Sequence, residues 1–204
     1  MPVLILDPSF EDHVMKEREA LGLSRYDEVW EGVTVVPPMP NTEHQILSMQ
    51  LWSVLEQVVA KGGLGQVFPP LNISDRVADW THNYRCPDIN VFLNGNPAVD
   101  HGTHWTGGPD FLIEVLSRGD DARDKLAFYA AVNTREVLVV DRHPWQLELY
   151  QLQQGQLTLA GRRDLDQPVT LTSSVLPAVF RLVPGSNRPS IEITHAATGQ
   201  CWVV

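Results

Sequence analysis

The sequence has little cysteine, few basic residues and no long apolar run. Its two cysteines, Cys86 and Cys201, lie far apart and belong to no CxxC or Cys/His spacing, which favours two reduced thiols over a zinc site or a disulfide framework. No apolar stretch approaches the roughly 20 residues of a membrane helix. The segment MPVLILDPSFEDH has no basic region before its apolar patch. We therefore expect no signal peptide, no membrane partner and a cytoplasmic location.

The charge balance restricts the partners. The chain has 15 Lys and Arg against 25 Asp and Glu, a formal net charge of −10. Because phosphates are neutralised by Lys and Arg, this balance counts against a protein that holds nucleic acid on a broad basic face. It remains compatible with an enzyme that has a small basic patch. DNA is therefore a partner that the net charge disfavours.

The chain has the length and composition of a globular protein. Its 204 residues are 43% hydrophobic and 20% charged, enough to bury a sizeable core. We predict three parts: an N-terminal helical extension over 1–25, a main domain over 26–183, and a linker with a hairpin over 184–204. The extension contains a short amphipathic helix at about residues 10–21.

Two patterns in the main domain predict its secondary structure. Residues 27–36, DEVWEGVTVV, are typical of a tight hairpin with its turn at Glu31. A helix over 42–61 follows, with Thr42 as its cap and Gln45 in capping-box spacing. Residues 110–141 predict a strand, a helix and a second strand, and both strands are nearly continuous apolar runs, as in strands buried on both faces. Asp120 or Asp121 is the expected N-cap of this second helix. The class predicted is α/β, with a mixed, mainly β sheet.

Two acidic residues lie in or beside apolar strands, where burial of an ionised carboxylate costs free energy. Asp88 follows Pro87 just before the run INVFL, and Glu114 lies inside the run FLIEV. An ionised carboxylate in such a strand needs a partner or a cation. Two of them converging would repel, and Mg²⁺ or Mn²⁺ would relieve the repulsion, with the carbonyl of Val115 as a third protein ligand. A metal there can polarise a phosphate and generate hydroxide from water. Lys125 would stabilise the developing charge, so the parts fit phosphodiester hydrolysis.

Each of these residues also has a structural interpretation. An aspartate after proline is typical of a turn, which would account for Asp88. Glu114 could form a structural ion pair with a lysine or arginine. Lys125 lies four residues after Asp121, the spacing of a surface pair on a helix. His44, in the first turn of the helix over 42–61, has a surface or capping role as its simplest explanation.

Several segments together resemble a known family. They are YDEVWEGVTVVPPMPNTEHQIL, PDINVFL, PDFLIEVLS and DARDKLAFYAAVNTREVLVVD. In this order they resemble the Uma-type putative restriction endonuclease family of the PD-(D/E)XK nuclease-like superfamily, over residues 26–180. The resemblance implies a restriction-endonuclease-like core, with a mixed central β-sheet flanked by helices.

The resemblance also assigns residues. It makes Asp88 the aspartate of the PD motif and Glu114 the second acid. Leu116 stands where a standard member of the superfamily has lysine, and Lys125 on the following helix supplies that lysine through its long, flexible stem. Glu31 is an additional acid near the site, with a surface turn as the equal alternative. His44 and Gln45 match a family pattern from which no role follows.

Three functions remain open from the sequence. The leading hypothesis is a Mg²⁺-dependent nuclease that acts on DNA, for which a homodimer would suit two cuts in a duplex. The second is a nuclease fold without activity that acts as a binding or assembly protein, which the acidic composition favours. The third is a hydrolase of a small phosphorylated or nucleotide substrate. The position of the Lys125 amine separates an active site from a surface pair.

Overall fold

The computed structural model of the protein describes residues 3–22, 24–119, 122–167 and 169–204, without the side chains of residues 8, 9, 11, 12 and 25. The predicted N-cap at Asp120 or Asp121 lies outside the described residues, as does the partner in the predicted surface pair of Lys125. In chain order the elements are β1 (Val3–Ile5), α1 (Pro8–Ala20), β2 (Glu28–Trp30), β3 (Val33–Val36), α2 (Thr42–Leu55), β4 (Gly65–Phe68), β5 (Ile73–Ser74), β6 (Tyr84–Arg85), β7 (Ile89–Leu93), β8 (Val99–Asp100), β9 (Trp105–Thr106), β10 (Phe111–Val115), α3 (Leu126–Ala131), β11 (Glu136–Arg142), β12 (Trp145–Gln153), β13 (Gln156–Arg163), β14 (Leu171–Thr172), β15 (Ala178–Val183), β16 (Ser190–His195) and β17 (Cys201–Val203). Short 3-10 turns cover Ser24–Tyr26, Trp80–His82 and Ala122–Lys125.

The described strands form three sheets. A six-stranded sheet has the order β13-β12-β11-β10-β7-β4, with β10 and β11 parallel and its other neighbours antiparallel. A seven-stranded sheet has the order β1-β3-β2-β6-β5-β9-β8, and a four-stranded sheet has the order β14-β15-β16-β17. The predicted mixed α/β class is confirmed, with β strands spread over several sheets and few helices.

Strand β10 separates two apolar cores. Alternate side chains of a strand point to opposite faces, so Phe111, Ile113 and Val115 join the cluster that includes α2, whereas Leu112 joins the cluster that includes α3. All five residues of the strand are buried, as the continuous apolar run predicted. Glu114 shares the face of Leu112 and therefore points toward α3.

The predicted helix over 42–61 is confirmed, with two local differences. It is α-helical over Thr42–Leu55 and continues as a π-helical segment over Glu56–Ala60. The prediction of Thr42 as the cap is wrong: Asn41 is the N-cap, and its side-chain oxygen accepts a hydrogen bond from the backbone N–H of His44 at 2.9 Å. Thr42 is then the first helical residue, and asparagine supplies the same kind of oxygen one position earlier.

The hairpins predicted from turn residues are also confirmed. Strands β2 and β3 pair with Trp30 opposite Val33, and the two turn residues, Glu31 and Gly32, both have positive φ. This is the backbone that a two-residue hairpin requires. Strands β16 and β17 form the hairpin predicted within residues 184–204. Strands β12 and β13 also pair in the antiparallel manner.

Both ends of the chain join sheets of the main domain. Strand β1 pairs with β3, and β16 pairs with β15 across the predicted boundary at residue 183. In the parts of the chain that the structure describes, no helix combines the length and apolar character needed to cross a membrane.

Candidate active site

A pocket of about 550 Å³ lies between α2 and the ends of β2, β7 and β10. Charged and polar side chains line one side, and proline, aromatic and aliphatic side chains line the other. The lining residues are Tyr26, Glu28, Pro37, Pro38, Pro40, His44, Gln45, Ile46, Ser48, Met49, Trp52, Pro69, Pro70, Cys86, Asp88, Glu114, Val115, Ser117 and Lys125. The pocket therefore contains every sequence-predicted site residue except Glu31.

Asp88 lies where the ladder between β7 and β10 ends. The last paired residues are Ile113 and Ile89, and the next position on the β7 side that could bond β10 is Pro87, which has no N–H. Beyond this point the N–H of Val115 is bound by the side chain of Asp88, at 2.8 Å from Oδ2. Pro87 therefore ends the backbone pairing between β7 and β10. The side chain of Asp88 binds β10, the strand that contains Glu114.

Glu114 and Lys125 form a buried ion pair. The Lys125 Nζ lies 3.2 Å from Glu114 Oε1, and the two residues are 7% and 5% exposed. The Tyr129 hydroxyl donates a hydrogen bond to the same Glu114 oxygen. Lys125 stands at the end of the 3-10 turn that leads into α3, and its stem directs the amine inward. Lys125 is therefore not a solvent-exposed lysine, and its amine contacts Glu114.

A third buried acid, Glu28, completes this group and was not found from the sequence. Its Oε1 accepts hydrogen bonds from Lys125 Nζ at 2.9 Å and from the backbone N–H of Cys86 at 2.9 Å. Its Oε2 accepts from the indole of Trp30 at 2.8 Å. Glu28 opens strand β2 and is 3% exposed. The available signal was an acid inside a short apolar strand, the same signal that identified Glu114.

Tyr129 was also missed, although its spacing indicates a shared helical face. It follows Lys125 by four residues, so both side chains lie on one side of the helical segment. Tyr129 is fully buried. Its hydroxyl and the Lys125 ammonium are the two donors that hold one oxygen of Glu114.

Glu31 is not brought to these carboxylates. Its side chain is 71% exposed and lies 3.6 Å from Arg76. Its Oε1 accepts a hydrogen bond from Asn83 at 2.6 Å. The turn of the β2–β3 hairpin directs the Glu31 side chain away from the pocket. Glu31 therefore has the exposed turn position that was its alternative interpretation. Glu28, on the strand itself, lines the pocket instead.

The electrostatics of the group are dominated by burial. Burial raises the pKa of Glu114 well above its ordinary value, Lys125 lowers it, and the charges of Asp88 and Glu28 raise it further. Burial next to Glu114 also raises the pKa of Tyr129, so this hydroxyl stays a hydrogen-bond donor. Glu28 and Glu114 share the ammonium of Lys125, whereas Asp88 faces His44.

His44 is a buried member of the pocket rather than a surface residue. It is 6% exposed, and its Nε2 lies 3.3 Å from Asp88 Oδ2. Burial lowers its pKa, but the hydrogen bond and charge of Asp88, with a weaker backbone hydrogen bond to Val115, outweigh burial and the charge of Arg142. The net effect is a raised pKa. The family pattern at this position thus corresponds to a contact with the PD aspartate.

These opposing effects predict how the pKa of His44 changes when Asp88 is replaced. In the Asp88→Asn variant only burial and Arg142 remain as the main influences, so the pKa of His44 should fall below its ordinary value of about 6.5. Imidazole NMR titration of both proteins measures this. Because the pKa of His44 is raised in the folded protein, its protonated form stabilises the fold fully below about pH 6.5, and this contribution is lost as the pH rises through the folded pKa. The Asp88→Asn variant should lose this pH dependence of stability. His104, remote in the loop before β9, is the internal control; an unchanged His44 titration would contradict the assignment.

The donors in this pocket fit a hard divalent cation. Across the described residues, no group of three or more His, Cys, Asp or Glu side chains is arranged to bind a metal ion. The predicted ligands, the carboxylates of Asp88 and Glu114 and the carbonyl of Val115, all belong to residues that line the pocket, and such an oxygen set suits Mg²⁺ or Mn²⁺ only if water completes it. One oxygen of each carboxylate is held by protein donors, whereas described residues offer no hydrogen bond to Asp88 Oδ1 or Glu114 Oε2.

Comparisons with known proteins bear on the family and the fold of the chain. The model of the family described as Uma2, putative restriction endonuclease, matches residues 21–183. Among solved structures the chain is similar to one described as a putative nuclease belonging to DUF820 from Anabaena variabilis, with a TM-score of 0.58 and 21% identity over 72% of this chain and 80% of that one. No curated protein matches the sequence. At this identity the structural likeness shows a shared fold.

Proposed function

From the premise that the chain belongs to the Uma2 family of putative restriction endonucleases, we propose that it is a Mg²⁺- or Mn²⁺-dependent nuclease that hydrolyses phosphodiester bonds in DNA. The observation that supports this most is the convergence of Asp88, Glu114 and Lys125 in one pocket. These residues come from a loop, a strand and a helical turn that are distant in sequence.

Each residue has a role that its contacts suggest. Asp88, Glu114 and the Val115 carbonyl would hold the cation, which when bound supplies Lewis acidity and lowers the pKa of water. Lys125 would place positive charge beside the phosphate, where a preorganised donor stabilises the charge that develops. Glu28 and Tyr129 position the lysine and Glu114, since they bind the amine and the carboxylate respectively.

Hydrolysis should depend on the metal. Purified protein incubated with Mg²⁺ or Mn²⁺ is expected to cut DNA, and excess chelator is expected to stop cutting while leaving the protein folded. The fold should persist because Lys125 and His44 already pair with the carboxylates in the described structure. Gel assays of oligonucleotides and isothermal calorimetry with each metal measure this. Absence of metal binding by calorimetry would reject the proposed function.

A second candidate is a nuclease fold that binds a partner without turnover. The favouring observation is that Lys125 is the one lysine or arginine among the pocket residues, beside three carboxylates. Metal binding without cleavage of any DNA would favour this candidate. Metal-dependent cleavage that is lost with Asp88→Ala would rule it out.

A further inference from the structure

Helix α2 has an apolar face that the core does not use. Leu47, Leu51 and Leu55 are fully buried and pack in the core beneath the helix. Ile46 and Met49, on another side, are 43% and 64% exposed and line the pocket. Apolar side chains that gather at a concave site mark a binding surface more often than scattered ones do.

The same wall contains an aromatic ring in a fixed position. Trp52, one turn beyond Met49, lines the pocket and donates its indole N–H to the carbonyl of Val67 at 3.2 Å. The anchored N–H restrains the ring, and it adds no polar atom to the pocket. Two proline pairs, Pro37 with Pro38 and Pro69 with Pro70, complete an apolar rim.

Charge determines which part of a nucleic acid can lie along this wall. On the apolar side of the pocket the described side chains include no lysine or arginine, and the amine of Lys125 is already bound by Glu28 and Glu114. A duplex is bound mainly through many phosphates and needs lysine and arginine along its path. The face of an unpaired base can instead stack on apolar and aromatic side chains without a cation, and one such contact contributes about 1–3 kcal/mol.

We propose that this pocket receives one unpaired nucleotide of a single DNA strand, with its base against Met49 and Trp52 and its phosphate at the divalent cation that Asp88 and Glu114 would hold. This inference rests on the proposed nuclease function and names its substrate. The volume of about 550 Å³ falls within the range of pockets that enclose a small ligand, about 300–1,000 Å³. A base that remains paired in a duplex cannot enter such a pocket.

Two methionines provide a matched test. Met49 lines the pocket and is 64% exposed, whereas Met39, in the nearby proline-rich segment, is 70% exposed and does not line it. Met49→Glu and Met39→Glu add the same charge at exposed positions, so both variants should fold, which circular dichroism checks. Binding of a labelled single-stranded oligodeoxynucleotide is measured by fluorescence anisotropy with Ca²⁺ in place of Mg²⁺, since both are hard cations that take oxygen ligands. Met49→Glu is expected to weaken it about tenfold, as losing one stacked base would, and Met39→Glu less than about twofold.

Substrate preference is measured on the unmodified protein. The single strand is expected to bind, and with Mn²⁺ to be cut, at least about tenfold better than a blunt duplex of the same sequence. Equal binding or cutting of the duplex, or equal effects of the two glutamate variants, would overturn the inference. A free deoxymononucleotide that competes as well as the oligonucleotide would also overturn it, because the site would then take a small substrate. Single-strand binding of the expected kind without metal-dependent cleavage would support the pocket assignment and reject the nuclease function.

Discussion

The Glu114→Gln variant should fold normally and lose metal-dependent hydrolysis by at least about 100-fold. Glutamine keeps the shape and can still accept the hydrogen bond from Tyr129, but it removes the charge that a divalent cation needs. The fold should tolerate the change because Lys125 keeps Glu28 as its charged partner at 2.9 Å, and the glutamine oxygen can accept the hydrogen bonds that Glu114 Oε1 accepts from Lys125 and Tyr129. Initial rates with saturating metal, together with thermal unfolding, measure both effects.

Glu148→Gln is the matched control for this variant. Glu148 is also a fully buried strand glutamate, and it lies 2.9 Å from Arg123 Nε and 2.5 Å from Arg162 Nε. It does not line the pocket. Its substitution should lower stability while each folded molecule keeps its turnover. Equal rates for Glu114→Gln and the unmodified protein would remove Glu114 from the proposed metal site.

Lys125→Met should destabilise the fold by about 3–5 kcal/mol near neutral pH, the usual cost of removing one partner of a buried ion pair. Methionine has a similar length but leaves Glu28 and Glu114 without the ammonium that lies 2.9 and 3.2 Å from them. Hydrolysis should fall as well, since the positive charge beside the phosphate is lost. Chemical denaturation at several pH values and rate measurements on the folded fraction provide the test.

The pH dependence of this loss has a definite sign. Lys125 lowers the pKa of Glu114, so without it the folded pKa rises further above the unfolded value of about 4.3. A carboxyl with a raised folded pKa loses stability as the pH rises through that window. The deficit should therefore shrink toward acidic pH and in the Glu28→Gln/Lys125→Met double variant. A deficit that is constant with pH would indicate lost packing rather than lost charge.

How much of the site the sequence could predict depended on the kind of signal. Asp88 and Glu114 were predicted because an acid beside or inside an apolar strand is costly. Lys125 was predicted from its place in the helical turn that follows the strand of Glu114, and the family resemblance then assigned it the lysine of the motif. Glu28 is likewise an acid in a short apolar strand, β2. The residue predicted as an additional acid was Glu31, in the adjacent turn. The hairpin places these two acids on different sides, and only Glu28 is buried. His44 matched the family pattern, yet its contact with Asp88 could not be inferred from a helix start.

The sequence by itself determined the local structure of this protein. Apolar runs, turn residues and caps act over a few neighbours, so they specify the β2–β3 hairpin, the helix over 42–61 and the buried strands β10 and β11. Which acid reaches the lysine was decided only by the tertiary structure, because Glu28 and Lys125 are 97 residues apart. Their contact depends on how two sheets and a 3-10 turn pack together. The apolar pocket wall likewise exists only because α2 buries one face and leaves another beside the carboxylates.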